Sequence, residues 1–313
     1  MVGNILFSML SYILCFFGLL VGSLTDLKTR EVPDLVNFGL LIIGFCLSLF
    51  ASLVFWDSAY FVSSLLGFAL CFLLSCIMFY TGQWGGGDAK MLMAMGSLIG
   101  LPLSSLLSIS SLISSGSLFY SFSLSSFVSF PFLVLFLLLV FFVGGIYGTA
   151  WLFVLLLKHY REFMLRCVVY VTDGKQRFRI VLFHGLSLLL FVFSFFVDDL
   201  FLRLLSLLLA FMILVLFYGF IAIKVLEEIA FVKEIPVSSL TEGDWVAEDI
   251  IVAGKVIVRK KDLGVSREQL QELHALAKKG KIKHVLVKYG IPFVPSFLLA
   301  FVVAILVYIL TSS

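Results

Sequence analysis

Five long stretches without a charged side chain constrain the fold of this chain more than any other feature. Lys, Arg, Asp and Glu are absent from residues 1–25, 35–56, 58–87, 91–157 and 291–313. About 20 consecutive apolar residues are enough for a helix to cross the hydrocarbon core of a bilayer. Only 13% of the residues are charged, which is about half of the share usual in a soluble domain. The sequence therefore predicts an all-α polytopic membrane protein with the lipid bilayer as its surroundings.

The positions of these stretches predict about eight transmembrane helices. Asp57 and the Ser-rich stretch 104–129 are then turns between spans. The first stretch lacks a basic leading region and a small-residue cleavage site, so we expect a span there rather than a cleaved signal peptide. The predicted spans are about 4–24, 35–55, 58–81, 89–112, 128–157, 180–197, 200–223 and 291–311.

The distribution of positive charge predicts the orientation of these spans. With eight alternating crossings, 21 of the 22 Lys and Arg residues fall on one side of the membrane, and only Arg203 falls on the other. Cytoplasmic loops are enriched in Lys and Arg, so that side is the cytosol and both termini are extracytoplasmic. The net charge of +3 is too small, and too confined to loops, to indicate a nucleic-acid partner.

Three regions follow from this topology. Residues 1–223 form a membrane domain of about seven spans with a cytosolic loop at 158–179. Residues 224–290 form a small α+β cytosolic domain, inserted before a final transmembrane helix at 291–313. The oligomeric state and the role of the inserted domain are not indicated by the sequence.

The inserted domain carries clear local signals. Residues 244–260 alternate as a strand pair would, and Gly254 is placed to form the hairpin turn. Ser266 and Gln269 predict a capping box at the start of a helix, and Gly280 is placed at its C-terminal end. We therefore expect a hairpin, a helix and a further strand.

The cysteines do not indicate a metal site. Five are present, at positions 15, 46, 71, 76 and 167, without CxxC spacing. We interpret them as small packing residues. The sequence predicts no metal ion and no cofactor.

Carboxylates close to the bilayer are costly, which makes them candidates for function. Asp26 follows the first span in TDLKTREVPD, and Asp88 precedes the fourth in GQWGGGDAKM. Both polar islands face the cytosol in the predicted topology. The two carboxylates therefore lie at the same depth, and they can meet if the first and fourth spans are neighbours.

Such a pair has a defined chemistry. Two close carboxylates share one proton, so one activates water as a base while the other protonates a scissile carbonyl. The run Gly85–Gly87 lets the backbone adopt conformations closed to other residues and approach a substrate strand closely. The simpler interpretation is a glycine-rich loop that enters a span, with Asp88 as its cap.

The two islands together resemble the prepilin and preflagellin peptidases, a family of GxGD membrane aspartic proteases. The resemblance implies that Asp26 and Asp88 are the catalytic pair and that Gly85 and Gly87 shape the substrate-binding loop. It also implies an endopeptidase that removes the short N-terminal leader, a class III signal peptide, from archaellin or type IV pilin-like precursors at the cytosolic face.

A third segment carries the resemblance further. YGIPFVPSF, at 289–297, resembles the C-terminal domain of archaeal members. Its Pro292 and Pro295 lack backbone donors and are candidates for shaping the substrate groove. An ordinary entry from a loop into a helix explains them equally well.

Bacterial members often carry paired CxxC motifs and methylate the new N-terminus, and this sequence lacks those motifs. The resemblance thus implies a peptidase without methyltransferase activity. Glu31 and Asp34 are candidates for attracting a basic leader, although solvated loop charges and a helix cap explain them as well.

Two other functions stay open on the residues alone. GGGDAK resembles motifs that hold magnesium in membrane lipid or prenyl transferases, but Asp88 is the only carboxylate in its island. A proton-coupled transporter would use Asp26 or Asp88 as a relay, but both residues flank spans rather than lie at mid-membrane.

Overall fold

The computed structural model describes residues 2–104, 131–252, 254–262 and 264–312, and the chain divides into two compact units. Unit 1 comprises Met1–Thr149 with Gly290–Ser313, and unit 2 comprises Ala150–Tyr289. The domain boundaries predicted from the sequence stay a prediction. The described helices are α1 (Val2–Thr29), α2 (Asp34–Phe55), α3 (Ala59–Tyr80), α4 (Gly86–Ile99), α5 (Phe132–Lys158), α6 (Tyr160–Thr172), α7 (Gly174–Phe193), α8 (Leu200–Leu226), α9 (Arg267–Lys278) and α10 (Val294–Ser312). The strands are β1 (Val232–Pro236), β2 (Trp245–Val246), β3 (Ile250–Val252), β4 (Lys255–Val258) and β5 (His284–Lys288).

Six of the described helices are long and apolar enough to cross a membrane, namely α1, α2, α3, α5, α7 and α8. The helix α10 is also apolar but shorter. The chain is mostly helical, with the composition of a multi-pass membrane protein and a small sheet region near the C-terminus, as predicted. The total of eight spans stays a prediction, and most of the Ser-rich stretch at 104–129 lies outside the described residues.

The fourth predicted span differs from the observed helix. The sequence predicted a span at 89–112, whereas α4 begins at Gly86 and ends at Ile99. The helix ends because Gly100 adopts a left-handed φ of 71°, a conformation that glycine tolerates, and Pro102 follows. At 14 residues, α4 is shorter than a usual transmembrane helix. The predicted loop at 158–179 also contains helix, namely α6.

Small residues let the short helix α4 pack closely against α1, α2 and α3 in unit 1. A Cβ added to Gly96 would lie 2.5 Å from the Gly67 carbonyl oxygen on α3. Two hydroxyls of α3 bind carbonyls of α4: Ser64 donates to Ser97 at 2.6 Å, and Ser75 donates to Ala89 at 2.9 Å. Small residues and hydroxyl hydrogen bonds are the usual means of holding membrane helices together.

Unit 2 contains the helices α6, α7 and α8 and the small sheet region. The rings of Phe183 on α7 and Phe217 on α8 stack at 4.7 Å between centroids. The strands form an antiparallel sheet in the order β1-β5-β2 and a separate β3–β4 hairpin.

The local predictions for this region are confirmed. Gly254 turns the hairpin with a φ of 80°, Ser266 and Gln269 form the capping box of α9, and Gly280 follows that helix with a φ of 70°. The five cysteines are free thiols, of which Cys15 and Cys71 are buried in unit 1.

We predict that Gly96→Ala destabilises unit 1. The new Cβ would lie 2.5 Å from the Gly67 oxygen and 2.8 Å from the Cys71 sulfur, so the helices must separate. The expected loss is about 1–3 kcal/mol, as for other overpacked cores. Thermal unfolding in detergent measures it. Gly39→Ala on α2 is the matched control, because nothing lies within 4 Å of its Cβ position. Equal melting temperatures for the two variants would contradict this packing.

Candidate active site

Asp26 lies in the last turn of α1, where the helix ends because Arg30 adopts a left-handed φ of 62°. The residue is only 5% exposed. A buried carboxylate requires hydrogen-bond donors. Its Oδ2 accepts a hydrogen bond from the backbone N–H of Val294 at 3.0 Å, across 268 residues of sequence. The backbone of Phe293 provides a second interaction with the same carboxyl group. The entry of α10 therefore meets the end of α1 at Asp26.

Asp88 is the third residue of α4, and its partly buried carboxylate closes the start of that helix. Its Oδ2 accepts a hydrogen bond from the Gly85 backbone N–H at 3.1 Å. This is the carboxylate half of a capping box. The simpler interpretation of Asp88, as the cap of a helix entry, thus describes a contact that exists. It leaves open what else the carboxyl group does.

The packing of α1 against α4 brings the two carboxylates close enough for the charge of Asp26 to act on Asp88. A Cβ on Gly22 of α1 would lie 2.5 Å from the Met91 side chain of α4, so glycine allows this approach. The two aspartates can meet only if α1 and α4 are neighbours, and they are. Burial, together with the negative charge of Asp26, raises the pKa of Asp88 to about 7, and the hydrogen bond from the Gly85 N–H partly offsets this rise.

Two residues that the sequence analysis missed hold the loop before Asp88. Trp84 is 6% exposed, and its ring contacts Phe141, Phe293 and Phe297 at centroid distances of 6.0, 5.7 and 5.3 Å. Asn37 on α2 is 1% exposed and donates from Nδ2 to the Gly87 carbonyl at 3.5 Å. The signal for Asn37 was present in the sequence, since an amide within an apolar span needs an interior partner.

The three loop glycines do not use the left-handed backbone conformations that glycine allows. None of Gly85, Gly86 and Gly87 has a positive φ, and Gly85 has φ −71° and ψ 163°, which any residue adopts. The proposed close approach of this run to a substrate strand stays a prediction. Gly87 packs beside Val32, where an added Cβ would lie 3.4 Å from the Val32 backbone nitrogen.

The remaining predicted site residues lie around this pair. Glu31 is exposed, while the Asp34 carboxylate accepts from the Lys90 ammonium at 2.6 Å. Pro292 and Pro295 are buried at the entry of α10, and their part in shaping a substrate groove stays a prediction. In the part of the chain that the structure describes, no group of three or more His, Cys, Asp or Glu side chains is placed to hold a metal ion.

Comparison with known proteins identifies the region that contains both aspartates. Residues 13–149 match the family model of the type IV leader peptidase family. Preflagellin peptidases from Methanocaldococcus jannaschii, Methanococcus maripaludis and Methanococcus voltae are 40%, 35% and 38% identical over 91 residues. Each match covers 29% of this chain and 38–39% of the relative's length. No solved structure gives a significant match.

We predict that Asp88→Ala destabilises the protein by about 1 kcal/mol relative to Asp88→Asn, the usual cost of losing a helix cap. Both variants remove the titrating group, but asparagine retains an oxygen that accepts from the Gly85 N–H. Thermal unfolding of the two purified variants measures the difference. If they melt together, the contact between Asp88 and Gly85 does not stabilise the start of α4.

Proposed function

We propose that this chain is a membrane aspartic endopeptidase of the type IV leader peptidase family, whose family model its residues 13–149 match. Its proposed reaction removes the short N-terminal leader from archaellin or type IV pilin-like precursors. The names of the similar preflagellin peptidases support this substrate class. The observation that carries the proposal is the interaction between Asp26 and Asp88, within a segment that matches a peptidase family.

The proposed chemistry divides the roles of the two carboxyl groups. Asp26, held by the Val294 N–H, is the ionised base, and Asp88, whose pKa is raised to about 7, carries the shared proton. Asp26 takes a proton from water while the water oxygen attacks the scissile carbonyl. Asp88 gives its proton to the carbonyl oxygen. The resulting diol then collapses: one of its hydroxyl groups returns a proton to Asp88, the C–N bond breaks, and the proton on Asp26 passes to the leaving amine.

The proposed location of the site is the cytosolic face of the membrane, with both termini extracytoplasmic. The asymmetry of Lys and Arg supports this orientation. A precursor with its apolar segment in the bilayer and its basic leader in the cytosol would present the scissile bond at this depth. Glu31 is exposed and suited to attract such a leader, whereas the charge of Asp34 is offset by Lys90.

The proposed division of labour assigns proteolysis to the membrane domain at 1–223 together with the final helix at 291–313. The region 224–290 would be a separate cytosolic element before that helix. We propose peptidase activity without methylation of the product, since the paired CxxC motifs of methylating members do not occur in the sequence.

We predict that Asp26→Asn and Asp88→Asn each lower leader cleavage by about a hundredfold or more, because asparagine cannot carry the shared proton. The measurement is cleavage of a co-expressed preflagellin-type or prepilin-type precursor, followed by its shift on a gel and by the new N-terminal sequence. Asp198→Asn is the control, since Asp198 is exposed and has no role in the site. Wild-type cleavage by either aspartate variant would overturn the assignment.

We predict that cleavage falls as the pH rises above about 7. A raised pKa means that Asp88 keeps its proton up to about pH 7 and loses it above, so the general acid is present below that value and absent above it. The rate should then fall about tenfold for each further pH unit. The kcat of the detergent-purified protein measures this. A kcat that stays constant to about pH 9 would exclude Asp88 as the acid.

A further inference from the structure

The entry of the last helix contacts both halves of the candidate site, although it lies outside the matched residues 13–149. We call Gly290–Phe297 the entry segment. Its members Val294, Ser296 and Phe297 are completely buried. These three residues lie in the first turn of α10, so the backbone groups at this helix start are buried and need partners inside the protein.

The first contact joins the entry segment to Asp26. Val294 is the first residue of α10, where backbone N–H groups have no partner within the helix. Pro295 has no N–H, and the Ser296 N–H is used by the Phe293 carbonyl at 2.9 Å. The Val294 N–H is thus available, and it donates to Asp26 Oδ2 at 3.0 Å. A donor at the positive end of a helix favours the ionised form of a carboxylate.

The second contact joins the same segment to the loop before Asp88. Phe293 and Phe297 lie on either side of Val294, and their rings contact Trp84 at 5.7 and 5.3 Å. Phe293 also packs onto Gly144 of α5, where an added Cβ would lie 2.6 Å from the ring. Rings packed at these distances and angles restrict one another's positions.

A third contact fixes the start of the segment. The Arg30 side chain, directly after α1, donates to the Gly290 carbonyl oxygen. One end of the segment is therefore tied to the chain that follows Asp26, and the other end to the loop that precedes Asp88.

We propose that the entry segment is a third component of the proposed active site, in which the Val294 amide positions Asp26 and the Phe293 and Phe297 rings position the Asp88 loop through Trp84. This inference rests on the proposed function. It assigns positioning roles to residues that are far from the aspartates in sequence.

The charged and titratable groups that interact with Asp26 come from three elements. Arg30 follows α1, Asp88 lies on α4, and the Tyr147 phenol lies on α5. Removal of the Val294 donor leaves these three unchanged. A shift in the pH dependence of cleavage after that change therefore reports the loss of the amide.

The test is Val294→Pro in the full chain, assayed on the precursor that the wild type cleaves. Proline deletes the backbone donor and suits the first position of a helix, although it also exchanges the buried valine side chain for its own ring. We expect kcat to fall about tenfold to a hundredfold, the effect of losing a hydrogen bond to a charged group, with KM unchanged. We also expect the acidic side of the pH profile to move to higher pH.

Two controls separate this effect from damage to packing. Val294→Ala removes most of the side chain but keeps the N–H, so it should lose less activity than the proline variant and show no change in pH profile. Leu200→Pro places proline at the exposed first residue of α8 and should cleave as the wild type does. An unshifted pH profile in Val294→Pro, or equal losses in the proline and alanine variants, would overturn the role of the amide.

The aromatic half of the proposal is tested separately and does not depend on whether Val294→Pro folds. Trp84→Phe keeps an aromatic partner for Phe293 and Phe297, whereas Trp84→Leu removes it. We expect Trp84→Leu to lower kcat about tenfold, because leucine cannot replace the ring contacts with Phe293 and Phe297. Trp84→Phe keeps a ring at this position and should retain most of the wild-type kcat. Equal activity in the two variants would overturn this half. Failure of the proposed function is distinct, because the wild type would then not cleave or Asp26→Asn would remain active.

Discussion

The close approach of three helices to the backbone of α4 is the constraint on which the candidate site depends. A helix of 14 residues cannot be positioned by its length in a bilayer, so contacts must fix it. Gly67 and Gly96 allow the backbones of α3 and α4 to meet, and the hydroxyls of Ser64 and Ser75 bind α4 carbonyls. Asp88 lies at the start of this helix, so its position follows from that packing.

Backbone donors hold both carboxyl groups of the candidate site, the buried one of Asp26 and the partly buried one of Asp88. Asp26 is held by the amide of Val294 and Asp88 by the amide of Gly85. A direct ion pair would favour the ionised form of both groups strongly. Backbone amides are weaker and fixed in direction, so one carboxyl group can stay protonated beside the other. The α10 start favours the charge on Asp26, and burial beside that charge raises the pKa of Asp88 to about 7.

The sequence predicted the components of this site better than the contacts between them. The uncharged stretches predicted the long helices, and the short polar segments between them drew attention to Asp26 and Asp88. Both signals are visible in the sequence because charged residues are costly in a bilayer and are therefore rare there. The end of α4 at Ile99 was missed, since the apolar run continues past Gly100. The contact between Val294 and Asp26 was missed for another reason. A backbone N–H is present at nearly every position, so its use leaves no residue signature.

The ion pair between Lys90 and Asp34 completes the electrostatic argument. Lys90 is only two residues from Asp88, and a cation beside that carboxyl group would favour its ionised form and remove the proton that the proposed acid needs. Residues two apart on a helix point in different directions. The Lys90 ammonium binds Asp34 at 2.6 Å and lies 5.3 Å from the centre of the Phe38 ring. Both partners lie on α2, so α2 holds this cation while Asp88 keeps its raised pKa. Asp34 therefore contributes to the candidate site by holding the Lys90 ammonium, whether or not its carboxylate also attracts a substrate.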